Sequence, residues 1–125
     1  MRSRCPTKLP WLACTLAFAC AGPTLAQPLP LSFEASPDMY KIAAQSDTTR
    51  LIEATWKPGQ RDKAHRHPAN LWYVLTPCSL RFHTPDGVRD ITLTPGRSGA
   101  QPAVQNHEVE NVGQADCRML MIEPK

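Results

Sequence analysis

Beyond residue 26 this sequence has no surplus of either charge. Of its 14 Lys and Arg, Arg2, Arg4 and Lys8 precede that point, which leaves 11 against 11 Asp and Glu. A protein that grips phosphate backbones needs clustered, surplus Lys and Arg, so nucleic acid is set aside as a partner. Cysteine is as sparse: Cys5, Cys14 and Cys20 fall in the first 26 residues, and Cys78 and Cys117 remain. Their spacing excludes a Cys-x-x-Cys redox motif and a zinc ribbon. The apolar run over residues 11–21 is too short for a membrane span. There is no internal repeat, no low-complexity tract and no convincing helical period after the first 26 residues, and 125 residues leave room for one core only.

What is present begins with a leader. Arg2, Arg4 and Lys8, the apolar run and small residues before a break follow the order of a secretory signal. Pro6, Pro10 and Pro23 argue against a buried N-terminal helix. The favoured cut follows Ala26, with Thr24 at the minus-three place, so that Gln27 starts the mature chain; a cut after Ala21 is the second choice. A lipid anchor on Cys20 is a lesser alternative, because Ala17 and Phe18 make a poor approach to it. The expectation is a periplasmic or secreted protein with no stable membrane association after cleavage. In such an oxidising compartment an even pair, Cys78 and Cys117, suggests a disulfide.

Residues 27–38 carry Pro28, Pro30 and Pro37 and no period, and read as an extended lead-in. From residue 39 to 125 the character changes. Residues 39–45, 50–57, 71–76, 80–83, 88–93, 104–109 and 117–122 are strand candidates, the second alternating Ile52, Ala54 and Trp56 against Leu51, Glu53 and Thr55. Pro58-Gly59, Thr76-Pro77, Pro85-Asp86-Gly87, Pro95-Gly96 and Asn111-Val112-Gly113 supply turns. Short strands at this spacing predict an all-β sandwich or barrel.

His65-Arg66-His67 is an i, i+2 pair, which in an extended segment puts both imidazoles on one face and turns Arg66 away. Neutral imidazole is a common ligand for zinc, copper, nickel and iron, yet such a pair alone is a weak signal. Its surroundings add to it. Gly59, five residues, His65, one residue and His67 resemble the first half of the cupin signature, and the second half follows downstream. Gly96, five residues, Pro102, one residue, Val104, two residues, His107, three residues and Asn111 match it except at Val104, where glycine is usual. The resemblance, to a small single-domain cupin, covers roughly residues 39–123.

The resemblance implies a jelly-roll β-barrel of two antiparallel sheets with His65, His67 and His107 converging to hold one divalent transition metal: Fe, Zn, Mn, Ni or Cu. It also implies that the strand ending near Cys78 runs beside the last strand, so that Cys78 and Cys117 meet. The glutamate usual after the second histidine is missing. Asn70, Leu71 and Trp72 stand there, and the amide oxygen of Asn70 is at most a weak fourth ligand. Such a site should lose metal on mild acidification, near the ordinary imidazole pKa of about 6.5. Trp56, Trp72, Tyr73, Met119 and Met121 are placed to line a pocket for an apolar substrate or to fill the core. His83 shares a solvated strand face with Arg81, Glu108 and Glu110 read as surface charges, and Asn111 reads as a turn residue.

Two functions of different class fit. One is a metalloenzyme, oxygenase-like or isomerase-like, acting on a small molecule; the motifs fix no Asp, Glu, Lys or Tyr inside the site to serve as acid or base. The other is a non-catalytic module that holds a small molecule or a metal. A second copy of the chain is a candidate partner in either case. The fold cannot choose between the two functions, since it hosts many chemistries.

Overall fold

The computed structural model describes Gly22 and residues 25–125, so the expected leader lies almost wholly outside the described residues. The elements run α1 (Ser32–Ala35), β1 (Tyr40–Gln45), β2 (Thr49–Trp56), β3 (His65–His67), β4 (Asn70–Val74), β5 (Cys78–Thr84), β6 (Gly87–Leu93), β7 (Ser98–Gln101), β8 (Val104–Asn111) and β9 (Cys117–Pro124). Two antiparallel sheets face each other. One is ordered β1-β2-β9-β4-β7 and the other β3-β8-β5-β6, a jelly roll.

Alternation along each strand decides what lies between the sheets. On β2, Ile52, Ala54 and Trp56 are buried; on β9, Cys117, Met119, Met121 and Glu123 are buried, two residues apart throughout. The two strands pair without a break from Thr49 opposite Pro124 to Trp56 opposite Cys117. A one-residue slip would turn every one of these side chains to water, so this period fixes the register. Cys78 begins β5 and Cys117 begins β9, and the two form a disulfide across the core with a Cα separation of 4.7 Å, as the fold resemblance implied.

Residues 27–38 are not wholly extended. Pro28, Pro30 and Pro37 flank a stretch free of proline, where one helical turn forms. The backbone N–H of Leu31 donates to Glu34 Oε2 at 2.8 Å, tying the first turn closed. Upstream of that turn the lead-in runs beside β3, which is an edge strand. Arg66 donates from its backbone N–H to Pro30 O at 3.0 Å and from its Nε to Leu29 O at 2.7 Å. The edge that carries two of the motif histidines is thus covered rather than open. Among the described residues, no helix is long and apolar enough to cross a membrane.

Candidate metal centre

Each of the three motif histidines is delivered by strand geometry. His65 and His67 lie on one face of β3, and the pairing of β3 with β8 sets His65 directly opposite His107. All three side chains are buried, and their ligating nitrogens lie within 4.8 Å of one another. His65 Nε2 is 2.9 Å from His67 Nε2 and 3.0 Å from His107 Nε2. His67 and His107 line a cavity of about 710 Å³ between the sheets, and His65 sits behind them.

The protons on these rings follow from their other nitrogens. His65 Nδ1 lies 2.7 Å from Lys63 O, and His67 Nδ1 lies 2.6 Å from Glu123 Oε1. A carbonyl and a carboxylate oxygen accept hydrogen bonds, so both Nδ1 atoms carry the proton and donate it. In neutral imidazoles the Nε2 atoms are then bare, and their lone pairs point at one another across 2.9 Å. Only a cation or a further proton between them relieves that contact. Burial makes protonation costly. It holds His65 below the ordinary histidine value against the opposing pull of Asp62, and it brings His107 down to about 3, helped by the neighbouring His65 and His67. Burial thus favours the neutral, ligating form of both rings over the protonated one.

The donor set fits a divalent transition metal on three grounds. Burial holds His65 and His107 towards the neutral form, and hydrogen bonds at Nδ1 leave the Nε2 atoms of His65 and His67 free to ligate. The Nε2 separations of His65 from His67 and from His107 also match, because two nitrogens about 2.1 Å from a shared ion and at right angles to it lie about 3.0 Å apart. Finally, Glu123, bonded to His67 through Oε1, keeps a buried Oε2 with no hydrogen-bond partner among the described residues, so the surroundings of the cluster are short of donors or cations.

Three residues that the motifs did not indicate adjoin the cluster. Asp62, buried, accepts hydrogen bonds from Tyr40 Oη at 2.6 Å, Trp56 Nε1 at 3.2 Å and the backbone N–H of Val109 at 2.6 Å. Its burial raises its carboxyl above the usual range although those bonds and His65 pull the other way. Tyr40 Oη also stands 3.4 Å from His65 Nε2, and burial beside Asp62 raises its phenol well above 10.0. Glu123 is the third. Its signal was the i, i+2 series Cys117, Met119, Met121, Glu123, which continues one step past the strand end expected at residue 122. Tyr40 and Asp62 carried no comparable signal, because the bonds joining them to each other and Asp62 to Val109 span 22 and 47 residues.

Of the other residues singled out, Trp56, Trp72, Met119 and Met121 do line the cavity, with Leu80 and Phe82. Tyr73 does not: it alternates with Trp72 on β4, is 46 % exposed, and joins Leu51, Leu71, Leu120 and Ile122 on the outer face. Asn70 turns inward and Leu71 outward, so of these two only position 70 lies on the side where the missing glutamate would act. The Nδ2 of Asn70 donates to Pro68 O at 3.1 Å. Asn111 is a buried organiser of the turn after β8, donating from Nδ2 to Trp56 O and Ala115 O and accepting from the Gly113 N–H. His83 pairs with Glu110 and Arg61 with Glu108 on partly exposed faces.

Among curated proteins nothing matches this chain. Among solved structures, a cupin domain from Bordetella pertussis Tohama I is 23 % identical, aligns over 80 % of this chain and 99 % of its own, and superposes with a TM-score of 0.65. The polyketide cyclase RemF from Streptomyces resistomycificus is 23 % identical over 68 % of this chain and 63 % of its own, with a TM-score of 0.55. A cupin superfamily protein from Desulfitobacterium hafniense DCB-2 is 21 % identical over 69 % and 75 %, with a TM-score of 0.52. These likenesses show the fold. The family profile described as Cupin domain matches residues 52–123, more than half of the sequence and every motif histidine, and the chain belongs to that family.

Proposed function

We propose that this protein is an exported metallo-cupin in which His65, His67 and His107 hold one divalent transition metal beside an apolar pocket that takes a small molecule. The observation that carries the reading is the convergence of three Nε2 atoms at a cavity wall, two of them bared by hydrogen bonds at Nδ1. When bound, such an ion supplies Lewis acidity or redox chemistry to a substrate oxygen. The chain's own residues do the rest. Trp56, Trp72 and Phe82 offer apolar surface to the body of the ligand, and a site closed by such side chains excludes water from the reacting group. Tyr40 is held by Asp62 and presents a hydroxyl next to the cluster.

One observation favours a non-catalytic binding module instead: the phenol of Tyr40, the hydroxyl next to the cluster, is already committed to Asp62. Export is supported by the order of the leader and by the disulfide, which persists in oxidising compartments. Pairing of two copies belongs to the proposal as well, supported by the apolar outer face at Leu71, Tyr73 and Ile122.

Equilibrium dialysis of the exported protein against zinc or cobalt tests the core of this reading. The expected result is one ion per chain in the parent and none in a His107→Ala variant that remains folded. Equal binding by the two removes the metal reading. Oxygen consumption by the iron-loaded protein against small thiols, diketones and phenols then separates enzyme from module. Intact mass of the exported protein is expected to start at Gln27, and retention of residues 1–26 contradicts export.

A further inference from the structure

Glu123 is fully buried, at 0 % exposure, at an inward position of β9. A carboxylate that deep is tolerated only with a partner. Among the described residues its sole ion-pair partner is His67, with Oε1 2.6 Å from Nδ1. Arg50 stands opposite Glu123 in the register of β2 and β9, but its guanidinium lies over the Phe33 ring instead, 5.1 Å from the centroid. The second oxygen, Oε2, has no hydrogen-bond partner among the described residues. As a mere filler the residue is poorly served, since an unpaired buried acceptor costs stability that a methionine continuing the row of Met119 and Met121 would not.

Its position relative to β4 is informative. The antiparallel register of β4 on β9 pairs Leu71 with Ile122 and Trp72 with Met121, and one step further brings Asn70 alongside Glu123. The strand position that lacks a carboxylate and the carboxylate that is present are therefore neighbours on the inner face.

Resting on the metal reading above, we propose that Glu123 is the positioning carboxylate of this centre: it acts through His67, fixing the ring by its Nδ1–H and supplying from behind the imidazole the negative charge that position 70 lacks. A carboxylate on Nδ1–H locks the tautomer, aims Nε2 and raises its basicity. It also lowers the net charge of three neutral imidazoles around a dication, in a pocket where charge is poorly screened.

The experiment compares the exported parent protein with Glu123→Gln, which keeps shape and a hydrogen-bond acceptor but loses the charge, and with Glu123→Asp. Zinc affinity is read by competition with a chromophoric chelator, the cobalt form by its visible spectrum, and His107→Ala serves as the non-binding control. Glu123→Gln is expected to bind zinc about 10- to 100-fold more weakly, to shift the cobalt band, and to show a smaller zinc-induced rise in melting temperature. Glu123→Asp should fall between the two. A Glu123→Gln protein that binds zinc within about twofold of the parent, far inside the range for outer-sphere partners, with an unchanged cobalt spectrum, overturns the inference and leaves Glu123 structural. Should the variants not fold, nitrogen NMR of the parent zinc form decides: His67 protonated at Nδ1 and ligated through Nε2 supports the role, and ligation through Nδ1 overturns it. A parent that binds no better than His107→Ala removes the metal reading itself, an outcome distinct from the loss of Glu123's role alone.

Discussion

At the scale of single residues, the decisive property of the cluster is which ring nitrogen carries the proton. Lys63 O and Glu123 Oε1 take the Nδ1 protons of His65 and His67, so the chain holds lone pairs ready and aimed. The same strand alternation sorts the neighbouring candidates. Asn70 faces in and is buried, whereas Leu71 faces out at 54 % exposure. Asn70→Glu is therefore expected to tighten zinc binding by about tenfold, the scale on which ligand surroundings act, and to lower the stability of the metal-free protein by burying a charge. Leu71→Glu should alter neither. Chelator competition and thermal melts of both variants check this, and tighter binding by Leu71→Glu would contradict the strand orientation. The histidine pair was legible from sequence because a period of two is local. Asp62 and Tyr40 were not, because a hydrogen bond across 22 residues leaves no pattern in the chain.

At the scale of elements, the pairing of β4 with β7 depends on one glycine. Trp72 pairs with Gly99 in register, and a Cβ placed on Gly99 would come within 2.5 Å of Trp72 Cζ2. The indole lies where a side chain would be, and it also forms part of the cavity wall. Gly99→Ala is expected to displace Trp72 and to cost about 1–3 kcal/mol, as overpacking does. Urea unfolding and tryptophan emission read the two effects, and an unchanged emission maximum would mean that the ring has room to spare. Strands β1, β2, β4, β5, β6, β8 and β9 stood out from strand-like runs between turn residues. Short β7 did not, because Ser98-Gly99-Ala100-Gln101 has no strong apolar period and becomes a strand through β4. The helical turn at Ser32–Ala35 was hidden by the prolines on either side of it.

At the scale of the whole molecule, one bridge and two buried rings govern stability. The Cys78–Cys117 disulfide closes a separation of 39 residues, which in the chain-entropy picture stabilises the fold by about 4 kcal/mol. Double Cys→Ser substitution should lower the urea midpoint accordingly, and an unchanged midpoint would show that the open chain was already constrained. Acid acts through His65 and His107. Their pKa values are lower in the fold than in the open chain, so below about 6.5 the unfolded state takes up protons that the folded state refuses. The metal-free protein is thus expected to lose stability as pH falls from 6.5 towards 3, the window set by His107. Asp62, raised by burial, binds its proton earlier in the fold than in the open chain and opposes part of that fall. Urea midpoints measured across this range should slope downwards with acid, and a flat profile would contradict the assigned burial.

The central claim is that three imidazoles share one ion, and X-ray absorption at the metal edge of the zinc- or cobalt-loaded protein tests it most directly. The expected spectrum has a shell of light scatterers at about 2.0–2.1 Å with multiple scattering from three imidazole rings, falling to two in His107→Ala if any metal remains. A spectrum of loaded parent protein with one imidazole or none, or one that His107→Ala leaves unchanged, would contradict it.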